Sequence, residues 1–88
     1  MAAPRKPAKP KRPATPSRTK PDPEIAAFGE RLRALRLEAG MTQEALAHAA
    51  GLHWTYIGQI ERGRRNLTLK NVLRLARGLG VEPARLVQ

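Results

Sequence analysis

The run MTQEALAHAAGLHWTYIGQIERG, from Met41 to Gly63, constrains the fold more than any other part of the chain. Thr42 offers a hydroxyl just ahead of an Ala-rich segment in which Leu46, Ala47 and Ala50 recur at helical spacing, and Gly51 stops it. A second short amphipathic segment follows at once, from about His53 to Arg62, and closes at Gly63. Two helices joined by a tight Gly-containing turn form the supersecondary unit that can seat its second helix in the DNA major groove.

The flanking sequence supplies partners for this pair. Asp22-Pro23 reads as an N-cap followed by proline at the first helical position. Ile25, Phe28, Leu32, Leu35 and Ala39 then form one apolar stripe that ends at Gly40. Thr68 caps a fourth helix whose stripe is Leu69, Val72, Leu73, Ala76 and Leu79, before Gly80. Glu82-Pro83 opens a last short helix with Leu86 and Val87. No stretch alternates with period two, so no sheet is expected. Short loops between amphipathic helices predict a compact five-helix, all-α bundle over residues 22–88.

Residues 1–21 differ in kind. They hold seven bases (Arg5, Lys6, Lys9, Lys11, Arg12, Arg18, Lys20) and no acid. Prolines at 4, 7, 10, 13 and 16 keep a three-residue spacing that suits polyproline II. With almost nothing apolar larger than alanine, the segment cannot offset the entropy of ordering itself. It is expected to be a disordered basic arm.

Charge narrows the partners. The whole chain carries +10, whereas residues 22–88 hold ten bases against seven acids, a net of +3. A cation this strong favours a polyanion, either nucleic acid or an anionic membrane surface. There is no cysteine, which removes disulfide frameworks and thiolate metal sites. No apolar run approaches the about 20 residues that span a bilayer, and no apolar segment follows the basic start. The chain reads as soluble and cytoplasmic, associated with the nucleoid.

The segment 53–62 carries the functional signal. At 100° per residue, Ile57 and Ile60 mark its buried direction, with Tyr56 and Glu61 on the flanks. Thr55, Gly58, Gln59 and Arg62 fall on the opposite side, and Trp54 lies between the faces. Gln can bond an adenine edge in two places, Thr can use its hydroxyl or its methyl, and Gly58 would let the helix approach the groove floor. The plainer alternative is a set of small, solvated polar residues.

These residues, in this order, resemble the phage-repressor/Cro-like helix-turn-helix family, also called the xenobiotic-response-element type. The matching motifs are Leu32-Arg33-Ala34-Leu35-Arg36, Met41-Thr42-Gln43-Glu44-Ala45-Leu46-Ala47, Gly51-Leu52, Ile57 and Ile60-Glu61-Arg62-Gly63. Leu75-Ala76 and Leu79-Gly80-Val81 extend the match, which covers roughly residues 24–87. The phrase Leu52-His53-Trp54-Thr55-Tyr56-Ile57, followed by Glu61-Arg62-Gly63, is also similar to the controller proteins of restriction–modification systems.

The resemblance implies a lambda-repressor-like DNA-binding domain and a role for each matched residue. Trp54, Thr55 and Gln59 would take the base-reading positions. Gln43 would bond a phosphate at a helix N-terminus, with His53 at the next helix cap beside the backbone. Arg62, Arg64, Arg65 and Lys70 would hold phosphates around the loop that follows. Arg36 and Glu61 would pair as a structural tie between the reading helix and the first helix. Trp54 departs from the usual polar residue at its position.

The expected function is a sequence-specific transcriptional regulator, a repressor more readily than an activator, acting on double-stranded DNA as a homodimer. Dimer contacts would use the fourth and fifth helices with Leu86 and Val87, or form only on DNA. The alternatives are an antitoxin or other protein-interaction module on the same fold, and an architectural protein that coats DNA with little sequence preference. No enzyme, metal, cofactor, small-molecule ligand or membrane partner is expected. His48 and His53 are five apart without a suitably placed carboxylate, and no nucleophile–base set is present. The glycines at 29, 40, 51, 58, 63, 78 and 80 read as helix punctuation and not as a phosphate-cradling loop.

Overall fold

The computed structural model describes residues 22–88, and the reading of residues 1–21 as a disordered arm lies outside them. Five helices follow in order: α1 Pro23–Glu38, α2 Gln43–Ala50, α3 Trp54–Glu61, α4 Leu69–Leu79 and α5 Ala84–Val87. The described residues contain no strand. Side chains satisfy the first free N–H groups of four of these helices. Asp22 Oδ1 accepts from Glu24 N at 2.8 Å, Thr42 Oγ1 from Ala45 N at 2.9 Å, and Thr68 Oγ1 from Asn71 N at 3.1 Å. The fourth cap is less usual, with His53 Nδ1 accepting from Thr55 N at 3.1 Å.

Packing places α2 across α4 and α3, with α1 behind α3 and α5 closing the far end of α1. One core runs through all five helices: Leu32 and Leu35, Leu46, Ala47 and Ala50, Ile57 and Ile60, Leu75, Ala76 and Leu79, and Leu86. Phe28, Met41, Leu52, Tyr56, Leu67, Val72 and Val81 pack against its edge.

Two details depart from the sequence reading. Ala39 is exposed and caps the end of α1 instead of continuing its stripe. On α4 the buried residues are Leu75, Ala76 and Leu79, while Leu69 is 73% exposed and Leu73 40%. The inward face is therefore turned by about 45° from the stripe that periodicity alone picks out. Gly78 fits this orientation. A Cβ there would lie 3.1 Å from Ala50 N and 3.2 Å from its Cβ, so the glycine lets α4 settle directly onto the end of α2.

The glycines also divide. Gly40, Gly51, Gly63 and Gly80 have φ between 70° and 74° and end helices, as expected. Gly29, Gly58 and Gly78 lie inside helices, where they admit a neighbour instead of breaking the chain. At Gly29 a Cβ would collide with the Ile60 carbonyl oxygen and stand 2.9 Å from that of Glu61, so α1 and α3 touch backbone to backbone.

This geometry sets two different costs for the same substitution. Gly29→Ala must push α3 away, and the expected loss is about 3 kcal/mol by overpacking. Gly51→Ala has nothing within 4 Å of its Cβ and loses only its left-handed conformation, about 1 kcal/mol. Urea unfolding of both variants checks the order; a Gly29→Ala midpoint at or above that of Gly51→Ala would refute the backbone contact.

Candidate nucleic-acid interface

The helix that follows the Gly51 turn is held by a buried polar cluster. Arg36 on α1 donates through Nε to Glu61 Oε2 at 2.6 Å and through Nη2 to Oε1 at 3.0 Å. The two side chains are only 8% and 3% exposed. Arg36 Nη1 also donates to the Met41 carbonyl at 2.8 Å, which ties in the start of the α1–α2 loop's second half. Gln43 completes the set, its Nε2 donating to Glu61 Oε1 at 3.0 Å. A carboxylate only accepts, so the Gln43 amide nitrogen has to face it. Three elements thus meet on one carboxylate at the last residue of α3.

Gln43 and Gly58 are therefore read differently in three dimensions. The carboxamide of Gln43 is turned inward to Glu61, which leaves its backbone N–H as the group at the α2 N-terminus. Gly58 is buried and does not open a path to a groove. A Cβ there would lie 3.4 Å from Arg62 Nη1 and 3.5 Å from Gln43 Oε1, so these two side chains converge over it.

Outward from this cluster, α3 presents Trp54, Thr55 and Gln59. Trp54 is 52% exposed, and its ring lies 6.1 Å from that of His53 at an interplanar angle of 21°. Thr55 is exposed and Gln59 half-buried. Arg65 bends back across this face: Nη1 donates to Gln59 Oε1 at 3.1 Å, and Cζ sits 5.0 Å from the centre of the Tyr56 ring. Tyr56 accepts at its hydroxyl from Asn71 Nδ2 at 3.0 Å. His53, Thr55, Tyr56, Gln59, Arg65 and Asn71 line one open groove between α3 and α4, together with Asn66 and Thr68.

The expected phosphate-facing residues are not all in one place. Arg62 joins Gln43 over Gly58, Arg65 joins Gln59, and Arg64 and Lys70 are exposed on either side of the loop. Asn71 and the hydroxyl of Tyr56 escaped the sequence reading. Asn71 lies in the first turn of α4, and nothing in its spacing connects it to α3. Among the described residues, no group of three or more His, Asp or Glu side chains is placed to hold a metal ion, and no helix is long and apolar enough to cross a membrane.

A family model described as helix-turn-helix matches residues 32–86. The chain belongs to this helix-turn-helix family. It is 47% identical over 57 residues to the control protein C.BamHI of Bacillus amyloliquefaciens, covering 64% of this chain and 70% of that protein. With the immunity repressor protein of Bacillus phage phi105 the identity is 37% over 59 residues, covering 67% of this chain and 41% of the repressor. The crystal structure of the restriction-modification controller protein C.AhdI from Aeromonas hydrophila superposes with a TM-score of 0.69 at 48% identity. That match covers 70% of this chain and 94% of C.AhdI. Wild-type C.Esp1396I gives a TM-score of 0.70 at 38% identity, over 74% of this chain and 86% of that one.

The resemblance drawn from the motifs therefore holds, including its likeness to controller proteins. The helix-turn-helix domain binds double-stranded DNA, and the chain is a sequence-specific DNA-binding regulator of transcription. Its family is regulatory and not enzymatic.

Within that family role, the Glu61 cluster is structural. A buried ion pair contributes little net stability over an apolar pair, but removing one partner strands the other charge. Glu61→Ala is expected to cost about 3–5 kcal/mol, with Tm falling by at least about 10 °C. DNA affinity should fall with it, since α3 loses its mount. Thermal unfolding and a gel-shift titration check this together; lost binding at unchanged Tm would contradict the structural role.

Proposed function

We propose that α3 enters the major groove of an operator and that the chain represses transcription by occupying it. The observation that carries this reading is the division of α3 itself. Ile57, Ile60 and Glu61 are buried, while Trp54, Thr55 and Gln59 face outward beside Arg62, Arg64 and Arg65. On this reading Thr55 and Gln59 contact base edges, and Trp54 packs on a thymine methyl or a sugar. The backbone N–H of Gln43, the rim around His53, and Arg62, Arg64 and Lys70 hold phosphates and set the register. The inward turn of the Gln43 side chain supports a main-chain contact there, at the positive end of a helix. Repression needs only occupancy, and the likeness to control proteins and a phage repressor supports it.

The protein acts as a homodimer on a near-palindromic site with half-sites about one helical turn apart. Leu86 is 2% exposed and belongs to the core of the monomer, so it is unavailable to a partner. Val87 is 65% exposed, and Leu69 and Leu73 stand one turn apart on α4. These three are the apolar surface that supports pairing through α4 and α5. The seven bases of residues 1–21 add phosphate attraction without base preference.

Sequencing genomic fragments retained by the full chain under heparin competition tests the central claim. The expected product is one motif with two-fold symmetry, altered by Thr55→Ala without a change in Tm. Fragments sharing only base composition would point to an architectural protein, and retention of a co-expressed protein in place of DNA would point to an interaction module. For residues 1–21, deletion should reduce the slope of log affinity against log salt by roughly 0.9 for each phosphate released. An unchanged slope removes the arm from the binding mechanism.

A further inference from the structure

We propose that Arg65 is a positioning residue for Gln59, and that together they read guanine where Gln59 alone would read adenine. The proposal rests on the reading of α3 as the helix that enters the major groove. A free glutamine matches adenine because its carboxamide offers one acceptor and one donor to an edge with the N6 donor and the N7 acceptor. Here one of the two lone pairs of that acceptor is already engaged, since Arg65 Nη1 donates to Gln59 Oε1 at 3.1 Å.

The chemistry of the two groups fixes the orientation. A guanidinium has five N–H donors and no acceptor, so it can be satisfied only by the amide oxygen. A turned carboxamide would set Nε2 against a cation with nothing there to accept its protons. Oε1 therefore carries a positive charge beside it. The N6 amino group of adenine, brought to the same oxygen, would be a second donor facing that charge. The groups that can meet a base without facing that charge are the Nε2–H of Gln59 and the other N–H groups of Arg65, all of them donors. The base edge that answers two donors is guanine, through O6 and N7.

Arg65 is itself held in place. Its Cζ lies 5.0 Å from the centre of the Tyr56 ring, and the Tyr56 hydroxyl accepts from Asn71 Nδ2 at 3.0 Å. An exposed arginine on a loop would otherwise spread over many rotamers and orient nothing. The ring beneath it and the amide beyond it reduce that freedom. Asn71 on α4 thus holds Tyr56 on α3, and Tyr56 lies under the loop residue Arg65, which alone meets the carboxamide of the reading helix.

The test is selection from a pool of randomised duplexes, sequenced after binding to the full chain, to Gln59→Ala, to Arg65→Ala and to the double variant. The expected wild-type motif contains one guanine per half-site whose preference is lost in Gln59→Ala. In Arg65→Ala the same position should turn to adenine, a change in guanine-to-adenine preference of about tenfold or more. That adenine preference should vanish in the double variant. Thermal unfolding confirms that each variant is folded, as expected for side chains outside the core.

Several outcomes overturn the proposal alone: adenine at the Gln59-dependent position of the wild type, a motif that Gln59→Ala leaves intact, or one that Arg65→Ala weakens evenly without changing any base. The last is the behaviour of a plain phosphate contact. A wild-type pool with no enriched motif would instead remove the groove-reading role of α3, and this proposal with it.

Discussion

Everything on the outer surface of α3 depends on one carboxylate that never reaches that surface. Glu61 is the last residue of the helix and receives Arg36 from α1 and Gln43 from α2. An apolar contact would tolerate rotation of α3 about its axis, because Leu and Ile side chains make non-directional contacts. A two-point arginine–carboxylate pair does not, since both bonds are lost on a modest turn. Ile57 and Ile60 are its buried apolar anchors, with Tyr56 at the core edge, and the directional pair fixes its roll more closely than they do. The buried pair therefore contributes geometry more than stability, and the backbone contact at Gly29 sets how closely α3 approaches α1.

A second polar layer sits above the first. Arg65, Tyr56 and Asn71 organise the groove side of α3 as Arg36 and Gln43 organise its inner side. Both layers use the same chemical restriction: a group that can only donate or only accept dictates which way a neighbouring amide turns. Gln43 is turned nitrogen-first by a carboxylate, and Gln59 oxygen-first by a guanidinium. Two glutamines of identical composition thus enter the interface with opposite ends committed.

Local signals in the chain identified the helices and most of their limits. Asp22, Thr42 and Thr68 cap the helices they precede, and Leu46, Ala47 and Ala50 are buried as their spacing requires. These features depend on groups within one helical turn, so neighbours in sequence suffice to reveal them. The errors have a common origin in contacts between helices. Leu69 and Leu73 also fit a helical stripe on α4, and packing against the other helices, with Gly78 seated on Ala50, selects the face. Gly29 and Gly58 looked like punctuation because a missing Cβ means one thing at a helix end and another beneath a neighbour. Leu86 and Val87 are adjacent and similar, yet one is core and the other surface.

The amino-acid sequence by itself determined five short helices, a helix pair around Gly51, a basic surface and the residue types on the outer face of α3. Periodicity, caps and charge are properties of short segments, and they survive without knowledge of the fold. The tertiary structure alone decided which end of each amide is free, which leucines of α4 face inward, and that Asn71 reaches Tyr56. Those outcomes follow from contacts between residues 6 to 28 positions apart, as in the Arg65–Gln59, Asn71–Tyr56, Gln43–Glu61 and Arg36–Glu61 bonds and the seat of Gly78 on Ala50. Hydrogen-bond direction is set by the partner that packing supplies, and a linear chain does not name that partner.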